Sequence, residues 1–201
     1  MVVRKAGGLV ARVQFPAPRT FMDVFSHGLW AGAGAKAVNL KKKKSLRVWL
    51  AVLFGVFPDV FAFAISFTYL NYLRIMGRPM PFSIRPGIEP PGENHNFLLN
   101  LTHNLYNISH SLFVFFVIFA VVAWACRRPV WEMGGWMAHI LMDIPSHSYA
   151  FFPMPFLWPF SSFMVNGIPW GTPAFFWTNY SLIIFFYTLL WYLKKRKKKH
   201  G

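Results

Sequence analysis

The sequence predicts an all-α, polytopic integral membrane protein of about four transmembrane helices plus an amino-terminal helix, with a metal site held between the helices. Three observations carry this. Only 13% of residues are charged, against 55% hydrophobic and 19% aromatic, where a soluble domain carries roughly 25% charged residues. Long apolar runs end in basic clusters, at Lys41 to Lys44, at Arg127 and Arg128, and from Lys194 to Lys199, the pattern that anchors helices at a membrane surface. His139, Asp143 and His147 recur at intervals of four in an apolar segment. Burying such groups in hydrocarbon is costly unless a cation or a partner offsets the desolvation.

Phe21 to Asn39 is helix-compatible but too polar for a clear crossing, which suits a tilted, re-entrant or interfacial helix. Lys41 to Arg47 form a basic hinge. Val48 to about Leu73 is long enough to cross a bilayer core of about 30 Å at about 1.5 Å per residue. Arg74 to Asn96, rich in Pro and Gly, reads as an extramembrane loop. His95 to Tyr106 reads as an amphipathic lead-in, and Ser109 to Ala125 as the clearest membrane segment, stopped by Arg127, Arg128 and Pro129. Trp131 to Phe152 is a third span interrupted by Pro145, Pro153 to Pro173 a rigid interfacial loop, and Ala174 to Leu193 the last helix.

These elements form one domain over residues 1–201, with the motifs in 21–161, the last transmembrane helix at 174–193 and a basic tail at 194–201. No cleavable signal peptide is expected, because the first twenty residues lack a firm apolar region. The basic clusters place a multi-pass protein in the inner or plasma membrane with its carboxy tail in the cytoplasm. Membrane lipids are the expected partners of the +15 net charge. Nucleic acid is not, since no soluble domain is present to read bases. The single Cys126 excludes an internal disulfide and a cysteine-based metal knuckle.

There are only six acids, and the three aspartates lie in or beside apolar segments. An ionisable group in a membrane helix is a functional-site hypothesis by default. Asp59 follows Pro58, with Gly55 one turn earlier, so the helix is expected to kink or break there. Asp143 has Pro145 two residues on. On an ideal helix His139, Asp143 and His147 drift by only about 40° per step, so neighbours can share an ion, with the second step distorted by Pro145. His110 lies at the start of the clearest span and His103 seven residues before it. His27 follows Asp23 by one turn, and Asp23 is a candidate helix cap. Asp59, Asp143 and His110 are the candidate catalytic groups. No G-x-S-x-G elbow, P-loop or dinucleotide fingerprint appears, which leaves metal-assisted hydrolysis, in which a divalent ion such as zinc lowers the pKa of a water to about 7. An intramembrane metal or proton transporter and a haem protein with axial histidines would draw on the same His and Asp residues.

The ordered set Ser26-His27, Phe57-Pro58-Asp59, Ser109-His110-Ser111, His139-x-x-x-Asp143 and Trp158-Pro159-Phe160-Ser161 resembles the YdjM-like family of membrane-bound, metal-dependent hydrolases of bacteria and archaea. The likeness runs from about Asp23 to Ser161. It implies a helical membrane relative of the zinc-dependent phospholipase C and single-strand nuclease fold. It also implies one or more divalent ions on His27, Asp59, His110, His139 and Asp143, with His147 as an extra ligand or support. A phosphoester of a lipid or lipid-linked substrate is the reaction partner that follows. Two departures stand out: the family's closely spaced histidine pair is replaced by His103 seven residues before His110, and the loop from Arg74 to Asn94 is unusually proline-rich.

Overall fold

A computed structural model describes residues 20–41, 45–79, 97–150 and 152–200. Six α-helices make up the described fold: α1 Thr20–Lys41, α2 Val48–Ile75, α3 Phe97–Ser109, α4 Leu112–Ala125, α5 Gly134–Ser146 and α6 Pro173–His200. In lipid every backbone polar group needs an internal partner, and helices supply one within the segment. The expectations for residues 1–19 and for 80–96, including His95, fall outside the described residues.

Small side chains let three helices meet almost backbone to backbone. A Cβ added at Gly55 of α2 would come within 2.6 Å of the Ala31 Cβ and 2.9 Å of the His27 carbonyl oxygen on α1. One added at Gly135 of α5 would fall on the Ala51 carbonyl oxygen and 3.1 Å from the Gly55 nitrogen. Close approach at small residues is how helices associate where lipid gives no hydrophobic drive. Outside this contact the core consists of Ala62, Leu99, Tyr106, Phe115, Met133, Trp136, Ile140, Phe152 and Met154. Large apolar side chains such as Trp49, Leu53, Val60, Ile65, Phe116, Val121, Trp177 and Ile184 point outward, as lipid-facing residues do. α6 docks on α1 through polar contacts: Trp30 Nε1 donates to Asn179 Oδ1 at 2.8 Å, and the Tyr187 hydroxyl donates to the Leu29 carbonyl at 2.9 Å.

All described basic clusters gather at one end. The Lys197 ammonium donates to the Leu40 carbonyl at 2.9 Å, joining the ends of α6 and α1. The Arg47 backbone N–H donates to Glu132 Oε1 at 3.2 Å, joining the start of α2 to the turn before α5. Asn39 closes the α1–α2 hinge by exchanging hydrogen bonds with the Leu46 backbone.

The span count differs from the expectation of four plus an amino-terminal helix. α2 and α6 are long and apolar enough to cross a membrane, and α3 with α4 make a third if the bent pair is one span. The pair is bent by 63° at Ser109-His110-Ser111. The expected span Trp131 to Phe152 is cut short, because α5 stops at Ser146, about 20 Å from its start at about 1.5 Å per residue. Pro58, by contrast, is contained within α2 without ending it. The Pro-rich segment expected at the interface packs instead against the α3–α4 break. There the Phe156 carbonyl accepts from the Leu112 N–H at 3.0 Å, and the Ser111 hydroxyl donates to the Trp158 carbonyl at 2.5 Å. Farther along, Gly167, Ile168 and Trp170 donate their N–H groups to the His147, Pro145 and Ser146 carbonyls, closing the end of α5.

Ser111 serves both sides of the break, since its hydroxyl also accepts from the Val114 N–H at 3.2 Å. Ser111→Ala is therefore expected to cost about 1–2 kcal/mol. The loss should appear as a lower thermal midpoint of detergent-purified protein, with Ser111→Thr recovering most of it; equal midpoints for all three proteins would refute this account of the break.

Candidate metal centre

Three structural devices bring four ligand atoms together in the protein interior. α2 carries Asp59 directly after Pro58, the break between α3 and α4 carries His110, and successive turns of α5 carry His139 and Asp143. One ligand atom from each lies within 4.8 Å of all the others. His139 Nε2 stands 3.1 Å from His110 Nε2, 3.1 Å from Asp143 Oδ2 and 3.6 Å from Asp59 Oδ1. His110 Nε2 stands 3.5 Å from both Asp59 Oδ1 and Asp143 Oδ2. For bonds of about 2.0–2.1 Å, a tetrahedral ion separates its ligands by about 3.3–3.4 Å, so the five distances have the size that a zinc-type coordination sphere requires.

The protonation pattern tests whether these residues fit a cation. His139 Nδ1 lies 2.7 Å from the Gly55 carbonyl oxygen, and His110 Nδ1 lies 3.1 Å from the Tyr106 carbonyl oxygen. A carbonyl only accepts, so His139 keeps its proton on Nδ1 and turns its Nε2 lone pair toward the cluster; His110 Nδ1 also meets the Ser109 hydroxyl at 2.8 Å, which can donate to it or accept from it. The two Nε2 atoms meet at 3.1 Å, beside two carboxylates. Neither Asp143 side-chain oxygen has a hydrogen-bond partner of good geometry. Two buried carboxylates within 4.8 Å of each other repel, and the arrangement becomes favourable around a positive ion. A dication also cancels the two carboxylate charges, which removes the main cost of burying them. This buried Asp and His group can hold a metal ion.

The model of the YdjM inner membrane protein family matches residues 22–200, nearly the whole described fold. The chain belongs to that family. No curated protein and no solved structure matches it. Membership and the membrane-crossing helices together make it a membrane protein.

Around the four donors, this YdjM family member places two further histidines on the other Asp143 oxygen. His27 Nε2 is 3.0 Å from Asp143 Oδ1, and the His27 ring lies against that of His139 with centroids 3.8 Å apart. His147 lies just past the end of α5, so it is not on the same helical stripe as His139 and Asp143. Its Nδ1 is 3.2 Å from the Asp143 backbone oxygen and 3.8 Å from Oδ1. His103 stacks on Phe152 at 4.8 Å instead of joining the cluster, and the side chain of Asp23 lies outside the described residues. Sequence reasoning missed the groups that aim the ligands. Tyr106 supplies a carbonyl and stacks its ring on His110 at 3.9 Å. Trp136 Nε1 donates to the Ser109 carbonyl at 2.6 Å and so fixes the break beside His110. Tyr106 sits one turn before His110, a spacing visible in the sequence; the Trp136 contact crosses between helices and leaves no local trace.

Proposed function

We propose that the chain is a membrane-embedded, metal-dependent hydrolase that cleaves a phosphoester of a lipid or lipid-linked substrate, with zinc as its ion. The convergence of two imidazole Nε2 atoms and two carboxylates inside the protein is the observation that supports this most directly. Asp59, His110, His139 and Asp143 would hold the ion, with His27 and His147 bearing on Asp143 from its outer side. Once bound, a zinc ion supplies Lewis acidity and an acidified water. The chain's own residues supply the rest. The Gly55 carbonyl keeps the His139 ring proton on the far side of the imidazole, and the Ser109 hydroxyl and Tyr106 carbonyl hold the His110 ring in place, so that each ring can present Nε2 to the ion. Asp59 has the most accessible side chain of the four, 11% exposed against 1% or less, and is the group placed to accept a proton from water.

Haem fits this geometry poorly. Axial histidines lie on opposite faces of a macrocycle, whereas here the two Nε2 atoms meet at 3.1 Å with carboxylates between the helices. The basic end of the bundle is assigned to the cytoplasm by the positive-inside rule.

The reading is tested with detergent-purified protein by release of inorganic phosphate from phosphomonoesters such as phosphatidic acid, and of the alcohol and phosphomonoester products from phosphodiester lipids. Turnover is expected with zinc, to vanish with chelator and to return with added zinc. Asp59→Asn should lower it about 100-fold or more, in the range of a lost general base. Zinc-loaded protein that turns over no phosphoester but moves the ion across proteoliposomes would replace the hydrolase reading with transport.

A further inference from the structure

We propose that the basic end of the bundle selectively binds anionic phospholipid headgroups, through Lys194–Lys199 of α6 and the basic ends of α1 and α2 beside it. The proposal uses no part of the metal centre, so it stands or falls apart from the hydrolase reading.

Depth along α6 places these charges. Ala174 to Leu193 is a run of twenty residues without a charged side chain, inside one continuous helix. At about 1.5 Å per residue it covers about 30 Å, the thickness of a hydrocarbon core. Trp191 and Tyr192 at its end are exposed, as aromatic side chains at a membrane interface are. Lys194–Lys199 then rise through about 8 Å more, and the headgroup layer on each side of a bilayer is about 5–8 Å thick. These cations therefore stand at the level of the lipid phosphates.

The flanks of α6 are open at that level. The helix docks on α1 along one side, and Leu182, Ile184, Phe185 and Leu193 remain exposed. Successive residues turn by about 100°, so six consecutive cations surround the helix. Lys197 is the one turned onto α1, where its ammonium meets the Leu40 carbonyl at 2.9 Å. Lys194–Lys199 nevertheless all stay exposed, and most of their charge faces lipid.

The protein supplies little counter-charge here. Among the described residues, every ion pair joins a histidine to Asp59 or Asp143 in the interior. Glu132 is buried and accepts from the Arg47 backbone N–H. Like charges one turn apart on a helix repel each other, and phosphates at the same depth relieve that repulsion. A zwitterionic headgroup relieves it less, because it brings its own ammonium. A lysine or arginine beside an anionic membrane surface favours it by about fivefold. The bilayer holds phosphates densely at this level, which a soluble anion does not, so lipid is the occupant.

The experiment reconstitutes the full chain into phosphatidylcholine vesicles carrying spin-labelled lipids, and reads by electron spin resonance the fraction immobilised beside the protein. Phosphatidylglycerol is expected to associate about threefold or more over phosphatidylcholine in about 0.05 M salt. The preference should fall toward one in about 1 M salt, where the screening length shrinks to about 3 Å. Combining Lys194→Gln, Lys195→Gln, Lys198→Gln and Lys199→Gln should remove about half of the preference or more, with helix content kept by circular dichroism. The same four positions changed to Arg should keep it. No preference in the wild type, or one that high salt leaves intact, overturns the proposal, and so does a folded Gln variant with the full preference. If the Gln variant does not fold, the wild-type salt series decides. Inorganic phosphate or a short oligonucleotide, added at constant ionic strength, should leave the preference in place. Its loss to the first would make the ligand a free anion and its loss to the second a nucleic acid, and either overturns the lipid assignment.

Discussion

Asp143→Asn is expected to empty the metal centre while the helices stay assembled. Asp143 is the residue to which the other candidate groups converge. Its Oδ2 lies 3.1 Å from His139 Nε2 and 3.5 Å from His110 Nε2, and its Oδ1 lies 3.0 Å from His27 Nε2. An asparagine keeps the volume, so no cavity opens and packing around Ile140 and Trp136 is retained. What changes is charge and donor type. One carboxylate is left to balance a dication, and a buried positive charge is then uncompensated. The amide nitrogen is no ligand, so whichever side of Asp143 it replaces loses an electron pair. Loss of a supporting hydrogen bond to a metal ligand already costs about 10–100-fold in affinity; loss of the ligand itself should reach about 100-fold or more. Zinc content by elemental analysis and affinity by competition with a chromogenic chelator check this, with far-ultraviolet circular dichroism confirming that helix content is kept. Wild-type zinc content in folded Asp143→Asn protein would refute the four-donor centre.

The parts of this centre that were legible in the sequence are those set by local periodicity or by rarity. His139 and Asp143 meet because four residues make about one turn of helix, and Asp59 stands out because an acid in a membrane helix is expensive. His110 was visible as a polar residue opening an apolar run. The break that orients it was hidden, because Ser109-His110-Ser111 contains neither Pro nor Gly, and the Leu112 N–H and the Ser111 hydroxyl find their acceptors in the Phe156 and Trp158 carbonyls, more than forty residues away. Pro58 and Pro145 carried the opposite lesson. Each was expected to disturb its helix, yet α2 continues past Pro58 while α5 ends one residue after Pro145. The difference lies in the partners: a returning strand of loop at Gly167 to Trp170 takes up the last carbonyls of α5, and that loop is remote in sequence. Apolar length alone does not fix the number of spans for the same reason, since a short helix packed among others can be as apolar as one that crosses the bilayer.

Two adjacent glycines give a sharp test of the three-helix contact that sets the distances in the centre. Gly134→Ala is expected to be neutral or slightly stabilising, because a Cβ there meets nothing within 4 Å and alanine favours a helix over glycine by about 1 kcal/mol. Gly135→Ala gains the same propensity but is expected to destabilise strongly. Its Cβ would overlap the Ala51 carbonyl oxygen and approach the Gly55 nitrogen and the Ala31 Cβ, and two of these three are backbone atoms that no rotamer change can move aside. Overpacking of ordinary cores costs about 1–3 kcal/mol, and a backbone-to-backbone clash belongs at or above the top of that range. The helices can respond only by separating. Separation of α5 from α2 stretches the bond from His139 Nδ1 to the Gly55 carbonyl, now 2.7 Å, and draws His139 and Asp143 away from Asp59. Gly135→Ala should therefore lower both the thermal midpoint and the zinc affinity, whereas Gly134→Ala should lower neither. If the two substitutions behave alike, helix propensity governs this part of α5 and the close contact does not position the metal ligands.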